Sequence, residues 1–158
     1  MKVRIECEKI VLRSVDSSDI DTILLWENST DEPLYGVYDE QYSRDDVAQF
    51  VENQQSYSFT ENEQLRLMIC SHDGERMGAV DLTEYDGRKA SVSILIFDLC
   101  NRRKGFAISA LRLVSEYAAS LGIETLYATI HPDNLPSINL FEKAGFELVG
   151  SMIYRKSL

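Results

Sequence analysis

The stretch that decides the fold runs from the apolar sequence Ile94-Leu95-Ile96-Phe97 to the basic turn Arg102-Arg103-Lys104-Gly105-Phe106-Ala107. The unbroken apolar run predicts a strand that is buried on both faces. After the turn, apolar residues recur at spacings of three and four and predict an amphipathic helix that ends at Gly122. The chain therefore leads from the end of a central strand through a glycine turn into a helix.

This turn has the features of an anion site. The first N–H groups of a helix lack intrahelical partners, and the macrodipole places about half a positive charge beside them. Gly105 and Ala107 leave the backbone approachable. Arg102, Arg103 and Lys104 add formal charge, which suits a ligand with several phosphate oxygens. The residues alone leave a second interpretation open, a basic solvent loop that caps a helix.

The remaining patterns predict one α+β domain over residues 1–158 with a mixed sheet. Alternating or continuous apolar runs predict strands over residues 10–12, 65–69, 77–85, 92–97, 124–130 and 146–154. About four helices flank them, because cap-forming residues at 16–19, 43–46 and 134 precede apolar stripes in the same way. No repeat, low-complexity tract or linker divides the chain.

Composition narrows the function classes. The net charge of −10 argues against a nucleic-acid footprint, which needs a basic face. The chain has three cysteines without CxxC spacing, so neither a disulfide framework nor a metal site is predicted. The start of the chain lacks a signal-like apolar segment and no later run reaches the length of a membrane span. We therefore expect a cytoplasmic protein with no membrane partner.

Several motifs together resemble the GNAT superfamily of acetyl-CoA-dependent N-acetyltransferases. The pattern Arg-x-x-Gly-x-Ala at 102–107 is followed by Asn134-Leu135-Pro136-Ser137 and by Leu140-Phe141-Glu142-Lys143-Ala144-Gly145-Phe146. The similarity extends to Gly78-Ala79-Val80-Asp81-Leu82-Thr83-Glu84 and, more weakly, to residues 12–28. Within the superfamily, the chain is similar to the branch of spermidine/spermine acetyltransferases and of acetyltransferases acting on ribosomal-protein N-termini. The resemblance implies a sheet that splays after the central strand, with acetyl-CoA in the gap.

The resemblance also implies which residues bind acetyl-CoA. The backbone of the central strand would pair with the pantetheine arm, the glycine turn would hold the pyrophosphate, and the helix that follows Asn134 would supply further contacts. Asn134 is also a good helix cap, and Lys143 is a cation favoured at a helix carboxyl end. The implied set is Ile94, Leu95, Ile96, Arg102, Arg103, Lys104, Gly105, Phe106, Ala107, Asn134, Phe141 and Lys143, with no metal.

Two acidic residues on one predicted strand are the candidates for catalysis. Glu84 could take the proton of the amine, and Asp81 could bind a cationic amine. Strand alternation predicts Asp81 and Tyr85 on one face and Glu84 on the other. The alternative is two solvent-facing carboxylates near a sheet edge.

The chain departs from the family pattern at two positions. Relatives place Glu where Ser91 stands, and a general-acid tyrosine where Phe141 stands. Tyr127 or Tyr154 could protonate the thiolate instead, or the thiolate could leave unassisted. The carboxyl-terminal strand hairpin of the family is expected to be cut short, because twelve residues follow Phe146.

These features predict direct acetyl transfer to a primary amine. The acidic residues Asp31, Glu32, Asp39 and Glu40 favour a polyamine or another small cationic amine, and a solvated acidic surface is the alternative for this loop. A protein N-terminus as the acceptor and a catalytically impaired acyl-CoA-binding or sensor protein are the alternative functions. Self-association into a homo-oligomer stays open.

Overall fold

The computed structural model describes residues 2–29, 42–97 and 104–158, and this part of the chain contains eight strands and five α-helices. The strands are β1 (Arg4–Glu6), β2 (Val11–Ser14), β3 (Leu65–Cys70), β4 (Arg76–Thr83), β5 (Lys89–Ile96), β6 (Thr125–Thr129), β7 (Glu147–Gly150) and β8 (Ile153–Ser157). The helices are α1 (Ile20–Glu27), preceded by the 3-10 turn Ser17–Asp19, α2 (Arg44–Ser56), α3 (Phe59–Asn62), α4 (Phe106–Ser120) and α5 (Leu135–Lys143).

All eight strands form one mixed sheet in the order β1-β2-β3-β4-β5-β6-β8-β7. Neighbouring strands are antiparallel except for the parallel pair β5 and β6. The ladder between β5 and β6 runs from Lys89↔Thr125 to Ser91↔Tyr127 and stops there, although β5 continues to Ile96. We call this point the sheet opening. The mixed α+β sheet agrees with the sequence prediction, and the opening between β5 and β6 agrees with the splay that the family resemblance implies.

The two faces of the sheet carry separate cores. On one face, which we call the α4 face, α4 and α5 bury Leu111, Val114 and Phe141 against inward residues of the strands. On the other, the α1–α2 face, Ile23 and Val51 belong to a smaller core. The two faces of the sheet are therefore covered by different helices.

Helix ends follow the local signals that predict them. The Asp16 side chain accepts a hydrogen bond from the backbone N–H of Ser18, and the carboxylate of Asp19 accepts one from the backbone N–H of Asp16. In the same way, the Ser43 hydroxyl accepts from the backbone N–H of Asp46, whose carboxylate accepts from the backbone N–H of Ser43. Gly122 follows α4 with φ +87°, a left-handed conformation that glycine adopts without strain. Helix α5 begins behind Asn134 and ends before Gly145, close to its predicted bounds.

The carboxyl-terminal part of the chain corrects the prediction. Residues 146–154 were expected to form one strand and the hairpin to be cut short, but β7 and β8 form a complete antiparallel hairpin within these last residues. The turn between them contains Met152 with φ 60°, a conformation that a sequence without glycine at this position does not signal. Strand β1 was also missed, because Arg4-Ile5-Glu6 has a single apolar residue to indicate a strand.

A buried carboxylate joins the first strands to the 3-10 turn. Asp19 is fully buried and accepts hydrogen bonds from both terminal nitrogens of Arg13, at 2.8 Å each, and from Nε of Arg76 at 2.6 Å. Its Oδ2 also accepts from the backbone N–H of Asp16. Burial alone would raise the pKa of Asp19, but these hydrogen bonds outweigh it and hold the pKa at about 2. The cluster therefore needs an ionised aspartate.

Candidate functional site

The described part of the glycine turn, from Lys104 onward, leads into α4 as the sequence predicts. Gly105 is the N-cap of α4 with φ +84°, and no side chain caps this helix start. The first turn of α4 carries no acidic residue, so the dipole of a helix of 15 residues is not neutralised by its own side chains. Lys104 is exposed and precedes the turn, whereas Arg102 and Arg103 lie outside the described residues. The described backbone therefore has the geometry of an anion site.

A residue that the sequence did not indicate lies against this turn. The Nζ of Lys9 donates a hydrogen bond to the carbonyl oxygen of Lys104 at 3.1 Å. A Cβ atom on Gly105 would lie 2.7 Å from the same Nζ. Lys9 is 96 positions away from Gly105 in sequence, so no local pattern could have predicted this contact.

The central strand is held close to its antiparallel neighbour. Gly78 lies opposite Ile96, and a Cβ atom at position 78 would lie 2.1 Å from the carbonyl oxygen of Leu95. Glycine is required there for the backbones to approach.

Phe97 follows the strand and stacks in parallel on Trp26 of α1, with 4.5 Å between the ring centroids. Trp26 thus packs at the edge of the smaller core, as expected for a core residue.

Glu84 lies at the sheet opening, on a different face from the one predicted. It has φ 54°, so the strand alternation stops after Thr83. The hydroxyl of Ser91 donates a hydrogen bond to Glu84 Oε2 at 2.9 Å. Because Ser91 alternates with the buried Ala90 and Val92 of the main core, its side chain belongs to the α1–α2 face. The predicted alternation was therefore wrong for Glu84.

Tyr85 also lies on a different face from the one predicted. Its ring packs on Phe59 at 4.8 Å and joins the edge of the main core on the α4 face. Tyr85 and Glu84 lie on the opposite faces from those that strict alternation predicts, because the left-handed backbone of Glu84 interrupts the alternation. Asp81 remains on the α1–α2 face, so the two acidic candidates share a face.

Asp81 is held by an arginine. Arg66 donates from Nε to Oδ1 and from Nη2 to Oδ2 of Asp81, both at 2.8 Å, and from Nη1 to Glu27 at 2.8 Å. The guanidinium also lies over the ring of Phe50, 5.0 Å from its centroid. Burial would lower the pKa of Arg66, but the hydrogen bonds and negative charges of Asp81 and Glu27 together outweigh burial, and the pKa is raised. A cationic amine at Asp81 would have to compete with this bidentate pair.

The two tyrosines that could replace the missing acid lie on different faces. Tyr127 is the parallel partner of Ser91 at the sheet opening, and Lys89 Nζ lies 5.6 Å from its ring centroid. Tyr154 is 6% exposed, lies opposite Ala128 and belongs to the main core. Tyr127 is therefore on the same face as Glu84, and Tyr154 is not.

A family model for the acetyltransferase (GNAT) domain matches residues 9–147. This chain belongs to the GNAT family. The GNAT domain is 29% identical over 92 residues to spermidine N(1)-acetyltransferase of Escherichia coli strain K12, a match that covers 56% of this chain and 49% of that protein. The chain spans 29% and 49% of the lengths of the first two curated relatives that it matches.

Solved structures share the GNAT fold at low sequence identity. One is RimL, a ribosomal alpha-N-protein acetyltransferase in complex with coenzyme A, with a TM-score of 0.78 and 17% identity over 99% of this chain and 98% of that chain. Another is spermidine N-acetyltransferase from Vibrio cholerae in complex with CoA and spermine, with a TM-score of 0.76 and 19% identity over 94% of each chain. These likenesses establish the fold.

In this GNAT domain, the remaining candidates for cofactor binding lie on α5 or at its start. Asn134 accepts a hydrogen bond from the backbone N–H of Ser137 at 3.3 Å and caps the helix. Phe141 is buried and packs edge-on against Phe146, with the ring centroids 5.0 Å apart. Lys143 is exposed in the last turn of α5.

Neither a membrane helix nor a metal centre is found in the described ranges of the GNAT domain. No helix there is long and apolar enough to cross a membrane. Within the same residues, no group of three or more His, Cys, Asp or Glu side chains is arranged to hold a metal ion. The acidic residues Asp31, Glu32, Asp39 and Glu40 lie outside the described residues.

Proposed function

We propose that this GNAT domain transfers an acetyl group from acetyl-CoA directly to a primary amine. The observation that carries the proposal is the placement of Glu84 at the sheet opening, on the same strand pair that leads to the Gly105 turn. The ladder between β5 and β6 ends at Ser91, which donates its hydroxyl hydrogen bond to Glu84. The backbone of Ile94, Leu95 and Ile96 lies between this carboxylate and the turn. A donor held along that strand presents its thioester near the carboxylate.

The described residues fit the donor. Gly105 has no side chain over the start of α4, the group nearest to its Cβ position is the ammonium of Lys9, and the first turn has no carboxylate to repel a phosphate. In the proposed assignment, Lys104, Gly105, Phe106 and Ala107 hold the pyrophosphate with Arg102 and Arg103. Asn134, Phe141 and Lys143 stay predictions for further cofactor contacts.

The proposed chemistry forms one bond and breaks one. The amine nitrogen attacks the thioester carbonyl carbon, the C–N bond forms, and the C–S bond breaks with its electron pair on sulfur. Glu84 takes a proton from the amine nitrogen, directly or through water. Tyr127 supplies the proton to the departing thiolate and is in turn reprotonated by solvent. Ser91 holds the Glu84 carboxylate in place, where relatives carry a glutamate on the strand itself.

For the acceptor, we propose a small cationic amine such as a polyamine. The curated spermidine acetyltransferase and the spermine complex support this class. A protein N-terminus is the second candidate, favoured by the likeness to the ribosomal-protein acetyltransferase. In this proposal Asp81 acts as part of a group of three on the α1–α2 face, because Arg66 pairs with both Asp81 and Glu27 and the group keeps one net negative charge.

A thiol-release assay tests the activity and the acceptor together. We expect thiol release with acetyl-CoA and spermidine, and a weaker rate with short peptides of varied N-termini. The rate with spermidine should fall as the salt concentration rises, because exposed charges steer the polyamine. A preference for peptides that does not depend on the salt concentration would contradict a polyamine as the acceptor and favour a protein N-terminus. Binding of acetyl-CoA without turnover of any amine would favour the acyl-CoA sensor.

Substitution of Gly105 by aspartate should weaken acetyl-CoA binding by at least about tenfold, because the new carboxylate both fills and repels the pyrophosphate position. Calorimetry with acetyl-CoA measures the change in Kd. Gly74→Asp is the matched control, since Gly74 also has a positive φ, +91°, but no atom lies within 4 Å of its Cβ position. Equal affinities of the Gly105→Asp and Gly74→Asp proteins would contradict the pyrophosphate site.

A further inference from the structure

Lys9 occupies an electrostatically unusual position. Its ammonium lies against the amino-terminal end of α4, next to Lys104, where the helix dipole is positive and repels cations. Among the described residues no carboxylate pairs with it, and its hydrogen-bond partner is the carbonyl oxygen of Lys104. A cation at the positive end of a helix is disfavoured unless an anion accompanies it.

A second lysine of this chain shows the ordinary arrangement. Lys156 leans over Gly145, with its Cε 3.4 Å from the Cβ position of that glycine, which also has a positive φ, +96°. Gly145 follows the carboxyl end of α5, where the dipole is negative and a cation is stabilised without any ligand. Both lysines lie over a glycine with positive φ at the end of a helix. Lys156 lies at the carboxyl end of α5, whereas Lys9 lies at the amino-terminal, positive end of α4.

The main chain that carries Lys9 is fixed. The backbone N–H of Cys7 donates to the carbonyl oxygen of Ile10 at 3.0 Å, which closes the turn between β1 and β2. Ile10 is fully buried in the main core, and a ring nitrogen of His72 contacts the carbonyl oxygen of Cys7 at 2.8 Å. The lysine therefore reaches the Gly105 turn from an anchored base, so binding needs little further ordering.

We propose that Lys9 is a phosphate-binding residue that contacts the pyrophosphate of acetyl-CoA on the Gly105 turn. The inference rests on the proposed function, since it assigns the anion of that same site. The ammonium lies within contact distance of the place where a Cβ on Gly105 would stand, directly above the backbone that would hold the ligand. The turn between β1 and β2 thus brings a cation to the start of α4.

Calorimetry of matched lysine variants tests the proposal. Lys9→Met should weaken acetyl-CoA binding by about fivefold and Lys9→Glu by more, because an exposed charge pair contributes about 1 kcal/mol. Lys156→Met, which removes the other glycine-covering lysine, should leave the Kd unchanged. Circular dichroism and thermal unfolding of each variant establish that the fold is retained.

Two shortened donors identify the phosphate. The loss caused by Lys9→Met should persist with 3′-dephospho-acetyl-CoA, and it should vanish from kcat/KM with S-acetylpantetheine, which has no phosphate. A loss confined to donors that carry the 3′-phosphate would overturn the pyrophosphate assignment. Wild-type affinity of the Lys9→Met protein would refute the role of Lys9 and leave the proposed function standing. Failure of the wild-type protein to bind acetyl-CoA would remove both.

Discussion

Replacement of Asp19 by asparagine should lower the free energy of unfolding by about 3 kcal/mol, because it removes the charge that two arginines share in a buried cluster. Arg13 and Arg76 would keep their charges without a partner. Urea unfolding followed by the fluorescence of Trp26, the single tryptophan, measures the loss. Asp21→Asn is the control, since the Asp21 side chain is 80% exposed in its pair with Arg44. It should change stability by less than about 0.5 kcal/mol.

The same aspartate predicts how stability depends on pH. The folded pKa of about 2 lies below the ordinary value of 3.8, so the unfolded chain binds the proton first as the pH falls. Asp19 therefore contributes its full stabilisation above about pH 4 and loses it as the pH falls toward 2, a loss of about 2 kcal/mol. The stability difference between the wild-type and Asp19→Asn proteins should shrink over this range. A difference that stays constant between pH 5 and about 2 would contradict the ionised cluster.

Features encoded by neighbouring residues were predictable from the sequence. The strand, the glycine turn and α4 follow from an apolar run, one glycine and a spacing of three and four, all within a single stretch. The helix that Asn134 caps follows from an equally local signal. The fold that the family resemblance implies is therefore confirmed where the motifs are continuous.

Features that depend on one backbone angle or on distant contacts were not predictable. Alternation assigned Glu84 to the wrong face because a single left-handed residue ends the period of two, and glutamate rarely signals such a residue. The contact of Lys9 with the Gly105 turn joins the first hairpin to α4. The pairing of Asp81 with Arg66 joins two strands 15 positions apart, and a carboxylate that looks available in the sequence is engaged in the fold.

Glu84→Gln should lower kcat for amine acetylation by about 100-fold, the contribution expected of a positioned general base. Glutamine keeps an oxygen that can accept the Ser91 hydrogen bond, so the affinity for acetyl-CoA should not change. Steady-state kinetics at saturating amine, with calorimetry for the donor, separates the two effects. The control is Glu63→Gln, because Glu63 is also exposed and left-handed, with φ 57°, but lies at the end of α3.

The pH profile distinguishes a base from a merely structural glutamate. Attack requires a neutral amine, and a primary amine of the lysine type has a pKa of about 10. As the pH approaches that value, a large fraction of the amine is already neutral in solution and does not need the protein to remove its proton. The loss of kcat in the Glu84→Gln protein should therefore become smaller. A structural defect would instead lower kcat by the same factor at every pH. If kcat is unchanged in Glu84→Gln, acetyl transfer can still stand, but the proton must leave by another route.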